Sequence, residues 1–296
     1  IDFEQFKAGV HGAAGWLVPV VLAAVAAVYV ADSFAIWKTF GWFLTRMSFT
    51  DVLLVRGATY LLAAINYNVG QGAIVYFVHK NAGTTIMRGV ATVLLVLGVN
   101  VLALLFLTTA GMAVAPDLPH IVKIIVALAW GGLAVYVALV VIRPRFLDQP
   151  LFEVLLSAGL AGHARALVVR LPHIAALMAF QFSALRAFGV AVPLGYALAT
   201  LPIAFFVAVL PISVQGLGTT QAMMVYLFAR FAPGAASKQE AAVVAASLSA
   251  QAIAFSFQAL LGILCLRSRV GRALQASARE QAAAPPEPPE PPAPAT

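Results

Sequence analysis

The chain has 296 residues, of which 62% are hydrophobic and only 10% charged, with mean hydropathy +0.95 and a formal net charge of +7. An average soluble domain carries roughly 45–50% apolar and about 25% charged residues, so this composition excludes an ordinary soluble enzyme, a disordered chain and a fibrous one. It leaves a polytopic helical membrane protein; an outer-membrane barrel is excluded too, because its strands would alternate polar with apolar residues and the runs here do not.

A spanning helix needs about 20 mainly apolar residues. In chain order the first clean candidate is 15–37. The next apolar stretch, 52–78, is interrupted by Asn66-Tyr67-Asn68-Val69-Gly70-Gln71-Gly72. Two further clean spans follow, Ile86–Met112 and His120–Ile142. Residues 151–170 mix leucines with Glu153, His163 and Arg165 and read as an interfacial amphipathic helix. A fourth span is expected at 174–192. The apolar stretch 194–231 is again interrupted, by Pro211-Ile212-Ser213-Val214-Gln215-Gly216-Leu217-Gly218, and a fifth span covers 241–266. A Pro-rich tail, 284–296, reads as disordered or polyproline II. The chain starts at Ile1 rather than Met, which points to a preceding segment. The single cysteine, Cys265, excludes an internal disulfide.

The two interruptions resemble each other. Both contain Gly-x-Gly, at Gly70/Gly72 and Gly216/Gly218, 146 residues apart in each case. Paired Gly/Pro-interrupted segments in two halves of a chain point to a transporter's binding site. Freed backbone groups persist in a membrane only where protein or water surrounds them, and the N-terminus of a half-helix suits an anionic head group. Thr219 and Thr220 stand where an N-cap would sit. The alternative is a structural hairpin with no ligand.

Charge sets the expected orientation. If the loop with Arg143, Arg145, Arg165 and Arg170 and the end with Arg267 to Arg279 are cytoplasmic, and 52–78 is a hairpin that enters and leaves on one side, then 13 of 18 basic residues lie inside. The stretch 194–231 becomes a hairpin from the opposite face. The fold expected is therefore all-α: a polytopic transmembrane bundle with two re-entrant, broken-helix hairpins forming an inverted repeat. It is one domain over 1–283, with halves near 15–142 and 150–270.

No zinc-protease, Cys-x-x-Cys, Walker or nucleophile-elbow motif is present, and Gly216-Leu217-Gly218 lacks the strand and third glycine of a dinucleotide fingerprint. The five histidines fall at expected helix ends or loops, and the acids, Asp32 among them, near interfaces. An intramembrane enzyme is disfavoured; no cofactor and no nucleic acid are expected. Arg186 lies mid-segment in the run 180–188, where a buried arginine faces a cavity or partner by default, or snorkels to an interface. Arg56 begins the first hairpin, as a head-group contact or a plain orientation charge. Asn100, Gln181, Gln251 and Gln258 read as interhelical hydrogen-bonding groups or as a polar cavity wall.

The run Leu210-Pro211-Ile212-Ser213-Val214-Gln215-Gly216-Leu217-Gly218 resembles the L-P-I-S-x-x-G-L-G signature of the flippase-like membrane domain, the transmembrane region of the lysylphosphatidylglycerol synthase family. The resemblance implies a bacterial inner-membrane protein that binds or translocates an anionic or modified lipid; the charge count gives it a cytoplasmic C-terminus. Where the family often has Val-Arg-Glu after the second motif, this chain has Thr219, Thr220 and Gln221; Gln71 replaces an acid after Gly70. The expected lipid site comprises Gly70, Gln71, Gly72, Arg186, Ser213, Gln215, Gly216, Gly218, Thr219 and Gln221, with Arg186 neutralising the head group and the glutamines hydrogen-bonding it. Membrane lipids are the expected partners. The alternative is a non-catalytic scaffold for a cell-envelope or lipid-modifying enzyme.

Overall fold

Runs this apolar leave the backbone no partner but itself, and in hydrocarbon a helix satisfies its N–H and C=O groups within one segment. The computed structural model of the protein, which describes residues 18–65, 67–113, 118–209 and 218–268, is helical, with no strand among those residues. The helices are α1 (Val18–Phe43), α2 (Phe49–Ile65), α3 (Tyr67–Ala82), α4 (Ile86–Met112), α5 (His120–Ile142), α6 (Pro150–Ala187), α7 (Leu194–Val209), α8 (Thr219–Phe228) and α9 (Ala236–Leu266). Five of them, α1, α4, α5, α6 and α9, are long and apolar enough to cross a membrane.

Local chemistry sets several ends. Thr85 Oγ1 accepts the Arg88 N–H (3.3 Å) and caps α4. Helix α5 stops at Arg143, whose backbone turns left-handed (φ 50°) just before Pro144. Three expected boundaries are corrected. The first span runs to Phe43 rather than residue 37, and the Trp37 indole donates to the Met47 carbonyl (2.8 Å) across the turn that follows. The expected interfacial helix 151–170 and span 174–192 are one element, α6. Its break falls at Gly159 (φ 56°, ψ −175°), a conformation glycine adopts without strain, and Pro172 is carried inside the helix. In 52–78 the expected interruption is helical from Tyr67 onward, so Gly70 and Gly72 lie within the first two turns of α3.

The helices pack as α1 on α6, α4 on α6 and α7, α2 on α3 and α9, α3 on α4, and α8 on α7 and α9. Small residues let backbones approach at two crossings, as membrane interfaces favour. Gly111 of α4 lies against the Ala199 carbonyl of α7, and Gly57 of α2 against the Cys265 sulfur of α9. One apolar core, with Leu104, Leu185, Leu201, Phe206, Met224 and Phe228, joins α4, α6, α7 and α8; a second, with Phe40, Val55, Val78 and Val93, joins α1 to α4. Helix α5 rests lightly on α4 and α6 and turns Leu128, Val135 and Ile142 outward.

Candidate functional site: a buried ionic cluster

An ionisable side chain inside a spanning helix is costly unless partnered, and by default it marks a functional site. Asp32 lies at the middle of α1 and is 1% exposed. Its Oδ2 accepts from Arg56 Nε of α2 at 2.6 Å, and its Oδ1 accepts from Arg170 Nη1 of α6 at 2.5 Å. Arg170 Nε donates in turn to Asn100 Oδ1 of α4 at 3.0 Å. The Arg56 guanidinium lies over the Tyr60 ring, 4.8 Å from its centroid. His173 Nδ1 stands 3.9 Å from Asp32 Oδ1 and 3.3 Å from the Val28 carbonyl.

Helix periodicity explains the convergence. Arg56 and Tyr60 are four residues apart, Arg170 and His173 three apart, and each pair shares one face of its helix. Asp32, Arg56, Asn100 and Arg170 each sit near the middle of their own helix, so the cluster lies midway along the bundle. Each carboxylate oxygen takes one charge-assisted bond. Among the described residues two guanidiniums face the Asp32 carboxylate. A cavity of about 10 Å³, room for a single water, touches Arg56 between Phe40, Val55 and Val78. Asp32, Arg56 and Arg170 are all buried in this conformation, at 1%, 7% and 8% exposure. Among the described residues no three His, Cys, Asp or Glu side chains come together as a metal site.

The structure distributes the sequence-predicted residues differently. Gly70 is buried and Gln71 half-buried near the start of α3, while Gly72 is exposed with open space where a Cβ would stand. Gly218 (φ 86°) is the N-cap of α8, and its N–H is held by Gln221 Oε1 at 2.7 Å. Gln221 Nε2 then donates to Gln251 Oε1 of α9 at 3.0 Å, an interhelical bond. Thr219 is the first residue of α8 and half-buried. Helices α3 and α8 are not among the packed pairs. Arg186 is exposed in the last turn of α6 rather than buried mid-segment, because the helix ends at Ala187. Ser213, Gln215 and Gly216 lie outside the described residues, as does the tail.

Comparison of the chain with protein-family models and with curated proteins finds no match.

Sequence reading placed Asp32 near an interface and Arg170 in a loop, because it ended the first span at residue 37 and began the fourth at 174. With α1 running to Phe43 and α6 continuous past Gly159, both residues move to mid-helix. His163 and His173, expected at helix ends or loops, lie inside α6. The available signal was a lone acid in an apolar run more than 20 residues long.

Proposed function

We propose that the protein is an integral membrane protein that takes the acidic head group of a lipid into its bundle and passes it across the bilayer. The observation that carries this reading is the convergence at mid-bundle of Arg56 and Arg170 on the carboxylate of Asp32. The same two guanidiniums suit a phosphate-bearing head group, because arginine's fork of donors matches phosphate oxygens. Because these side chains are buried, a head group reaches them only when the surrounding helices part.

The helix order supports an inverted repeat, the architecture that places such sites in transporters. Adding the 146-residue glycine offset to α2 gives 195–211, against Leu194–Val209 for α7. The same shift takes the end of α3 from Ala82 to Phe228, the end of α8. Exchanging α1 with α6, α2 with α7, α3 with α8 and α4 with α9 also converts the α2–α9 crossing into α7–α4, and the α3–α4 contact into α8–α9. Three crossings, α4, α5 and α6, follow α1, so α6 runs against α1 and the second set is inverted. Helix α8 has 10 residues and rises about 15 Å. That is about half of a ~30 Å hydrocarbon core, in keeping with a re-entrant α7–α8 pair. A bacterial inner-membrane location with a cytoplasmic C-terminus belongs to the same reading.

The test is lipid scrambling in reconstituted vesicles, with fluorescent phosphatidylglycerol and a membrane-impermeant quencher. Folded wild-type protein is expected to accelerate scrambling well above protein-free vesicles, and Arg170→Leu to lower the rate at least tenfold. Folded wild-type protein that scrambles no faster than empty vesicles overturns the proposal and leaves the scaffold reading.

A further inference from the structure

A second cavity, about 350 Å³, opens between α4, α5 and α6, away from the buried charges. That volume falls within the ~300–1,000 Å³ of small-molecule sites. Its wall is hydrocarbon from Gly98 and Leu102 on α4 and Gly132 and Leu133 on α5, with Tyr136 and His163 as its polar side chains. Those two satisfy each other: the Tyr136 hydroxyl lies 2.6 Å from His163 Nε2, and His163 Nδ1 lies 2.7 Å from the Gly159 carbonyl. The wall therefore offers a ligand little beyond apolar surface.

The cavity has a cause in the sequence. A Cβ placed on Gly98 or on Gly132 would meet nothing within 4 Å, so two glycines facing each other across the α4–α5 seam hold the space open. An empty apolar void forfeits the dispersion contacts of its lining, and within a membrane the adjacent medium that can refill it is lipid chain. Its extent fits. From Leu95 to Leu105 on α4 the lining rises about 15 Å, the depth of one leaflet of a ~30 Å hydrocarbon core. Beyond Tyr136, α5 continues about 10 Å to Arg143. There Arg143 and Arg145 are exposed, beside Asp148 and Glu153. Two guanidiniums thus stand at that mouth, and their forks of donors match phosphate oxygens.

We propose that this slot holds one acyl chain of an anionic phospholipid from the leaflet facing Arg143 and Arg145, with the head group lying on those arginines. The site is separate from the Asp32 cluster, and its occupancy does not depend on whether the protein translocates lipid.

The experiment uses the full chain in phosphatidylcholine vesicles containing a few per cent of phosphatidylglycerol with a diazirine on one acyl chain. After irradiation, adducts are mapped by mass spectrometry. The expected result is adducts concentrated on the α4, α5 and α6 residues that line the slot, competed by unlabelled phosphatidylglycerol but not by added phosphatidylcholine. Gly132→Leu, whose side chain enters open space, is expected to cut slot adducts at least fivefold with the melting temperature unchanged. Gly98→Leu serves as the second filling variant should Gly132→Leu unfold. Adducts spread evenly over outward residues such as Leu128 and Ile142, or a yield unchanged in the filled variants, overturn the slot. Equal labelling by a diazirine phosphatidylcholine overturns the choice of an anionic lipid.

Discussion

The Asp32 carboxylate takes one guanidinium on each oxygen, so removing the acid and removing one arginine have unequal consequences. Asp32→Asn removes the carboxylate that both Arg56 and Arg170 hold, and breaking a buried ion pair by removing one partner costs about 3–5 kcal/mol. Arg170→Leu keeps the Asp32–Arg56 pair and removes a donor from Asp32 Oδ1 and from the Asn100 carbonyl, a loss of about 1–3 kcal/mol. Denaturant unfolding of purified protein in detergent should therefore rank Asp32→Asn well below Arg170→Leu. The reverse order would mean that the carboxylate is not what holds the two arginines. The same asymmetry separates stability from function, since Arg170→Leu is expected to stay folded while scrambling falls. At this scale the sequence was least legible. Asp32, Arg56 and Arg170 are scattered over a separation of 138 residues between Asp32 and Arg170, and nothing local to any of them announces the other two.

At the scale of helices, glycines sort by what a methyl group would meet. On Gly111 it would run into the Ala199 carbonyl oxygen, a backbone atom that cannot rotate aside, whereas on Gly98 of the same helix it would meet nothing within 4 Å. Gly111→Ala should therefore force α4 off α7 and destabilise by about 1–3 kcal/mol, as overpacking does. Gly98→Ala should be neutral, or stabilising by up to about 1 kcal/mol through helix propensity. Thermal melts of the two variants that move together would contradict the α4–α7 crossing. Helix positions were more legible than crossings. The ends of α4 and α5 agree with the sequence because Thr85 caps one and Pro144 follows the other, signals carried by single residues. The break in α6 was misplaced because a leucine-rich run with scattered charge reads alike as an interfacial helix and as a packed one. What distinguishes them is the tertiary contact of α6 with α1 and α4, which no window of sequence contains. Likewise the Gly-x-Gly of the first stretch reads as an interruption, yet both glycines lie inside α3.

For the molecule as a whole, the burial of Arg56 and Arg170 changes the orientation argument without reversing it. A buried mid-helix arginine reports on its carboxylate, not on a membrane face, so those two leave the count of orienting charges. Of the remaining sixteen Lys and Arg, eleven still fall on one side when the α2–α3 and α7–α8 pairs each return to the side they leave: Lys38, Arg46, Lys80, Arg88, Arg143, Arg145, Arg165 and the four arginines from Arg267 onward. The side rich in basic residues is expected to be cytoplasmic. Residue 148, in the α5–α6 connection, then faces the cytoplasm, and residue 237, at the start of α9, faces outward. The chain lends itself to testing this, because its one native thiol, Cys265, is buried, whereas Asp148 and Ser237 are exposed. An impermeant maleimide applied to intact expressing cells should label Ser237→Cys directly and Asp148→Cys only after the membrane is permeabilised. Labelling of both from the same side would require an even number of crossings between them. Either α6 would then not cross, which removes its antiparallel relation to α1, or the α7–α8 pair would cross once instead of returning; each overturns the proposed topology.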